Sequence, residues 1–137
     1  MMSHPQGHNS GTAVFVDTLD GFLHSNNIIK IAMIKIDVEG WELEVLRGAR
    51  NTLLGPEAPM LIIEYSDIRS TQSGSASDIY EFIRSVNNYL IYKLHKGKEN
   101  RSKLVMIRDM SDLPHHDNLF CLLPTHRAEI EAEHLFK

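Results

Sequence analysis

The clearest pattern along the chain is a nearly unbroken apolar run, Ile31-Ala32-Met33-Ile34-Lys35-Ile36. Strict alternation is missing, as in a strand covered on both faces of a parallel sheet. The run ends at Asp37-Val38-Glu39-Gly40. A second run, Met60-Leu61-Ile62-Ile63, follows Pro59 and ends at Glu64-Tyr65-Ser66. Between them Leu43, Leu46, Ala49 and Leu53 recur at helical spacing, which predicts one helix from Trp41 to Leu54. Glu42 and Glu44 in its first turn, with Arg47 and Arg50 further along, match the helix dipole. Gly55-Pro56 stops it. Gly48 inside this helix costs about 1 kcal/mol relative to alanine, and close approach to the neighbouring strand is the simplest compensation.

The remaining pattern extends the same alternation of elements. Residues Thr12 to Val16 are β-prone, and Thr18 offers an N-cap to a short helix whose apolar face is Leu19, Phe22 and Leu23. After a polar loop from Ile68, a helix is predicted from Ser75 to Asn88, with Ile79, Phe82, Ile83 and Val86 on one face. Tyr89–Leu94, Lys103–Ile107 and Leu119–Leu123 read as strands, and Thr125–Lys137 as a short charged helix. Strands joined by helical crossovers predict an α/β fold with a parallel sheet and right-handed connections. The shorter last connection permits one antiparallel strand. No repeat or interior linker divides the chain, so residues 1–137 read as one domain, with a core over 12–124, a tail over 125–137 and a loop or disordered start over 1–11.

Composition narrows the function classes. The chain is 42% hydrophobic and 23% charged, with a net charge of −4, which gives no general reason to seek nucleic acid or anionic membrane. The basic run Lys93, Lys96, Lys98, Arg101 and Lys103 reads as a solvated turn. The single cysteine, Cys121, lies among Leu119, Phe120, Leu122 and Leu123, as a buried thiol does. The polar start is unlike a secretory signal, and no apolar run approaches the roughly 20 residues of a membrane span. These features predict a cytoplasmic setting.

Candidate chemistry lies at the strand ends. Open parallel sheets bind ligands beyond the carboxyl ends of their strands, and Asp37, Glu39 and Glu64 stand there. Glu39 fits a cap of the following helix as well as it fits a site, whereas Asp37, leaving a buried strand, leans toward a site. His115-His116-Asp117, joined by His24 or His95, is the other ligand set in view. Adjacent histidines in a polar loop read as solvated, and no metal site is expected. Trp41 reads as packing of the helix on the sheet, and Tyr65 and Ser66 as the edge of a pocket.

Four blocks occur in order: Thr18-Leu19-Asp20, Lys35-Ile36-Asp37-Val38-Glu39-Gly40-Trp41-Glu42, Val45-Leu46-Arg47-Gly48-Ala49, and Pro59 through Glu64. They resemble the blocks of FkbM-family methyltransferases. The resemblance implies a Rossmann-like class I methyltransferase sheet, of which Ile31–Ile36, Met60–Ile63, Leu119–Leu123 and Tyr89–Leu94 would be the fourth, fifth, seventh and sixth strands. It implies S-adenosylmethionine as methyl donor, bordered by Asp37 and Val38, and a small acceptor with a hydroxyl group, such as a sugar or polyketide. Asp37 would take the hydroxyl proton, with Glu39 or Glu64 orienting the acceptor. The family's glycine-rich cofactor loop and ribose-binding acid have no counterpart in this sequence, so the resemblance covers the C-terminal half of the fold. The strand Ile31–Ile36 would then present an open edge to a second copy or a separate N-terminal half-domain. A non-catalytic binding or dimerisation module is the alternative.

Overall fold

A computed structural model describes residues 12–67, 74–95 and 102–130 of the protein. Five strands form one sheet: β1 (Met33–Ile36), β2 (Met60–Ser66), β3 (Leu90–His95), β4 (Lys103–Met106) and β5 (His116–Leu122), in the order β1-β2-β5-β3-β4. The helices are α1 (Leu19–Ser25), α2 (Glu42–Gly48), α3 (Arg50–Leu54), α4 (Ala76–Val86) and α5 (Pro124–Ile130). The expected lateral order of the four main strands is the one observed. The architecture is mixed α/β and compatible with a methyltransferase-like fold.

The sheet is less parallel than expected. Only β1 and β2 are adjacent and parallel; β5 runs antiparallel to both β2 and β3, and β4 antiparallel to β3. Two strands are therefore reversed rather than one: the stretch of sequence from β3 to β4 is shorter than the roughly a dozen residues that a crossover to a parallel strand needs, and β5 runs in the same direction as β4. Burial along β2 alternates, with Leu61, Ile63 and Tyr65 buried and Met60, Ile62, Glu64 and Ser66 half-buried. The buried face meets Leu43, Leu46, Leu53, Ile79 and Ile83 of the helices. On the other face a groove lined by Met33, Met60, Ile62, Leu94, Leu104 and Phe120 reaches Ile130 of α5. An apolar run thus signals contact on both sides without requiring equal cover.

Boundaries moved at several points. The segment 12–17 forms no strand among the described residues, and Val14, Phe15 and Val16 are exposed. The strand expected from Ile31 begins at Met33, and the last strand begins at His116, so His116 and Asp117 belong to the sheet rather than to a loop. Lys93 and Lys103 likewise lie in strands, the Lys93 ammonium donating to the Asp112 carbonyl. The expectations for residues 1–11, 68–73, 96–101 and 131–137 lie outside the described residues.

The helix expected over 41–54 is broken at Ala49, and the cause is Asp20. Its carboxylate accepts from the N–H groups of Asn51 (2.8 Å) and Thr52 (2.9 Å) and from the Thr52 hydroxyl (2.6 Å). In a continuous helix those two N–H groups would bond carbonyls one turn back. Asp20 diverts them and so caps α3 from outside the helix. The other end of α3 is also held from afar, as Asn87 Nδ2 donates to the carbonyls of Leu53 and Gly55 at 2.7 and 2.9 Å. Gly48 answers the same contact: a Cβ there would meet Thr18 Cβ at 3.3 Å. The close neighbour is the N-cap of α1 rather than a strand, and Thr18 Oγ1 accepts from Gly21 N–H at 3.0 Å.

Burial alone would raise the Asp20 carboxyl, but its bonds to Thr52 and Asn51 outweigh burial and hold it below the ordinary value of 3.8. Asp20→Ala should cost about 1 kcal/mol of stability, as loss of a capping group does. The sign follows from linkage: a depressed carboxyl contributes fully above its unfolded pKa and less as pH falls through the folded one. The gap in urea stability between wild type and Asp20→Ala should be level near neutrality and shrink in acid.

The other helix signals hold. In α4 a capping box joins Ser75 to Asp78, whose Oδ2 accepts from Ser75 N–H at 2.6 Å. Cys121 is fully buried, and burial pushes its thiol well up, as expected of a packing residue. Tyr89 is buried with its hydroxyl donating to the Pro59 carbonyl at 2.7 Å. Among the described residues no helix is long and apolar enough to cross a membrane.

Candidate active site

The parallel pairing of β1 with β2 sets Ile36 beside Ile63. The next residue on each strand is an acid, Asp37 on one and Glu64 on the other, so register alone brings together carboxylates far apart in the chain. Glu39 joins them from the turn after β1. One carboxylate oxygen from each of Asp37, Glu39 and Glu64 lies within 4.8 Å of the others. The three residues expected from sequence are therefore one cluster at the carboxyl ends of two neighbouring strands. Asp37 and Glu39 are exposed, and Glu64 is half-buried.

Carboxylates this close repel one another, and a lysine and a histidine stand beside them. Lys35 Nζ lies 2.5 Å from Asp37 Oδ2, the two side chains sharing one sheet face. His116 Nε2 lies 3.7 Å from Glu64 Oε1. A further pair, His115 Nδ1 and Asp67 Oδ2 at 2.6 Å, closes the same end of the β2–β5 ladder. The two histidines are solvent-exposed, as expected, and each also stands beside a carboxylate, while His24 in α1 and His95 at the end of β3 belong to other elements.

The turn that carries Glu39 is unusual. Glu39 has φ 53° and Gly40 φ 98°, both in the left-handed region that suits glycine but rarely glutamate. Two backbone N–H groups of this turn, Val38 at 3.2 Å and Gly40 at 3.1 Å, donate to one oxygen of Glu42. Glu42 is 5% exposed. Glu39 is consequently a presented side chain, and the N–H groups of the turn are taken by Glu42. Glu42 closes the Lys35-to-Glu42 block, yet helical spacing alone made it an ordinary first-turn acid. His116 was missed as well, because its nearness to Glu64 depends on strand register.

Other expectations changed. Trp41 is half exposed, and it lines a cleft with Val16, Asp17, Leu19, Glu44 and Val45. Tyr65 is buried in the core instead of edging a pocket, and burial together with the nearby Asp67 raises its phenol. Ser66 is half-buried at the end of β2, opposite His116. Val38 is partly exposed beside the cluster.

Such an arrangement can accept a proton from a hydroxyl, hold hydroxyls by hydrogen bonds, or attract a cation. A family model described as "Methyltransferase FkbM domain" matches residues 5–91. No curated protein and no solved structure matches the chain.

Proposed function

The chain belongs to the methyltransferase FkbM domain family, and on that premise we propose that it is the C-terminal half of a Rossmann-like, S-adenosylmethionine-dependent O-methyltransferase. The acceptor is a small molecule with a hydroxyl group, of the sugar or polyketide kind. The observation that carries this reading is the meeting of Asp37, Glu39 and Glu64 within 4.8 Å at the ends of β1 and β2.

The residues fit a cationic, hydroxyl-bearing donor. Exposed acidic oxygens on Asp37 and Glu39 flank the partly exposed apolar side chain of Val38. Asp37 and Val38 would border S-adenosylmethionine, which when bound supplies a methyl group activated by a sulfonium. Asp37 takes the acceptor's hydroxyl proton as general base. The Lys35 ammonium, 2.5 Å away, fixes the direction of that carboxylate. Glu39 and Glu64 accept hydrogen bonds from the acceptor and hold the reacting oxygen in line.

Calorimetric titration of the purified chain with S-adenosylhomocysteine tests this reading. One-to-one binding that weakens in Asp37→Ala supports it. Absence of binding by the chain, alone and with an added N-terminal methyltransferase half, would overturn it.

One observation favours a second reading, a binding or dimerisation module. Among the described residues β1 is an edge strand paired with β2 alone. Of the exposed large hydrophobics, Met33 lies in β1 itself and Ile28, Ile29 and Val38 lie in the segments on either side of it in the chain. An open apolar edge invites pairing along Ile31–Ile36 by a second copy or a separate half-domain. On this reading light scattering gives a mass above that of one chain, and a proline at Lys35, which cannot donate a ladder hydrogen bond, lowers it. A monomer at all concentrations removes the self-pairing form.

A further inference from the structure

We propose that Glu42 is a positioning residue for the carboxylate cluster: its buried carboxylate fills a backbone nest at Val38–Gly40 and so sets the direction in which Glu39 and Asp37 face a ligand. The ligand part of this inference rests on the methyltransferase reading above; the nest itself does not.

Among the described residues Glu42 is the one charged side chain in the buried class. Burying a carboxylate is costly unless hydrogen bonds replace its water. Here the replacements are the N–H groups of Val38 and Gly40, both aimed at Oε1. They converge because the backbone between them turns left-handed, at φ 53° for Glu39 and 98° for Gly40. Backbone N–H groups gathered this way form a concavity for an anion. In this protein the anion is the chain's own.

Local helix chemistry does not explain the arrangement. Trp41, at the N-cap, makes no side-chain capping bond. Glu44, in the same first turn, satisfies the helix dipole from the surface while paired with Arg47 at 2.6 Å. Glu42 is turned inward and backward instead, onto the two residues flanking Glu39. A left-handed glutamate persists only where its surroundings hold it, and Glu42 is what holds this one.

The test compares Glu42→Ala, Glu42→Gln and Glu42→Asp in the full chain. Glutamine keeps an acceptor oxygen at the same reach, whereas aspartate keeps the charge but falls one methylene short. Backbone chemical shifts and the HN–Hα coupling of Glu39 report its left-handed φ, and amide exchange reports the bonds at Val38 and Gly40. Calorimetry gives the affinity for S-adenosylhomocysteine. Glu42→Gln should keep the Glu39 signature and near wild-type affinity. Alanine and aspartate should lose the signature, expose both amides, and weaken binding about tenfold, a loss that two backbone hydrogen bonds can account for. Retention of the Glu39 signature in Glu42→Asp overturns the inference, even if Glu42→Ala fails to fold. Loss of the signature in Glu42→Gln as well would show that the nest needs the charge in addition to the reach, and supports the inference. Should the wild-type chain bind no S-adenosylhomocysteine, alone and with an added N-terminal half, the methyltransferase reading falls, while the nest is still decided by the Glu39 signature and the amide exchange.

Discussion

Replacing Asp37 with alanine is expected to slow methyl transfer by about 100- to 10,000-fold, the range over which a positioned general base contributes. The loss should appear in kcat more than in KM, because the carboxylate is asked to act on the proton that leaves in the transition state. Its neighbours set the comparison. Glu64→Gln keeps an oxygen able to accept from the acceptor and should cost less, with a larger share in KM. Thermal unfolding should hardly change in Asp37→Ala, since Asp37 is exposed and its close ion pair with Lys35 is exposed too. The measurement is S-adenosylhomocysteine released from S-adenosylmethionine with hydroxylated acceptors, using chain that binds the cofactor. Equal kcat in wild type and Asp37→Ala would remove Asp37 from the base role.

The largest expected effect on stability comes from Leu46. Its side chain has no exposed surface and sits in the core formed by α2, α3, α4 and the inner face of β1, β2 and β5. Leu46→Ala should therefore cost about 2–5 kcal/mol, combining lost transfer energy with the cavity left behind. Against a typical total of about 5–15 kcal/mol for a domain, that is a large fraction. Leu54, half exposed at the end of α3, is the control. Leu54→Ala should stay within about 0.5 kcal/mol. Urea unfolding checks both, with a shifted midpoint and an unchanged slope marking a true stability change. A similar cost at the two positions would show that α2 does not pack as described.

The contrast between these two leucines shows what a linear pattern conveys. Leu46 and Leu53 stand at helical spacing and are buried, so periodicity identified the inner face of the segment. It could not show that the segment is two helices. The break at Ala49 depends on Asp20, 31 and 32 positions away from the N–H groups it takes. Local propensity favours continuation through this region, and a distant carboxylate overrides it. Two family blocks gain a physical meaning from the same contact. Thr18 and Asp20 of the first block lie against Gly48 and the start of α3, adjoining the third block, and lock these segments together.

The candidate site divides in the same way. Asp37 and Glu64 were legible because each ends an apolar strand, and strand ends are where open sheets bind ligands. Their juxtaposition required the β1–β2 register. Glu39 was equally a cap or a site residue until the turn was seen, with Glu42 taking the backbone N–H groups and Glu39 turned outward at a left-handed φ. His116 was assigned to a polar loop, and only the insertion of β5 beside β2 brings it near Glu64.

By itself the sequence determined the elements whose signals are local. These are the two apolar strands, the amphipathic helices, the N-cap at Thr18, the stop at Gly55-Pro56 and the ordered blocks that reveal the family. Tertiary structure decided the rest: the reversal of β4 and β5, the break at Ala49, the carboxylate cluster and the nest filled by Glu42. The physical reason is range. Strand and helix propensity arise from each residue and its near neighbours, whereas register, external caps and clustered charges exist only once distant parts of the chain have packed together.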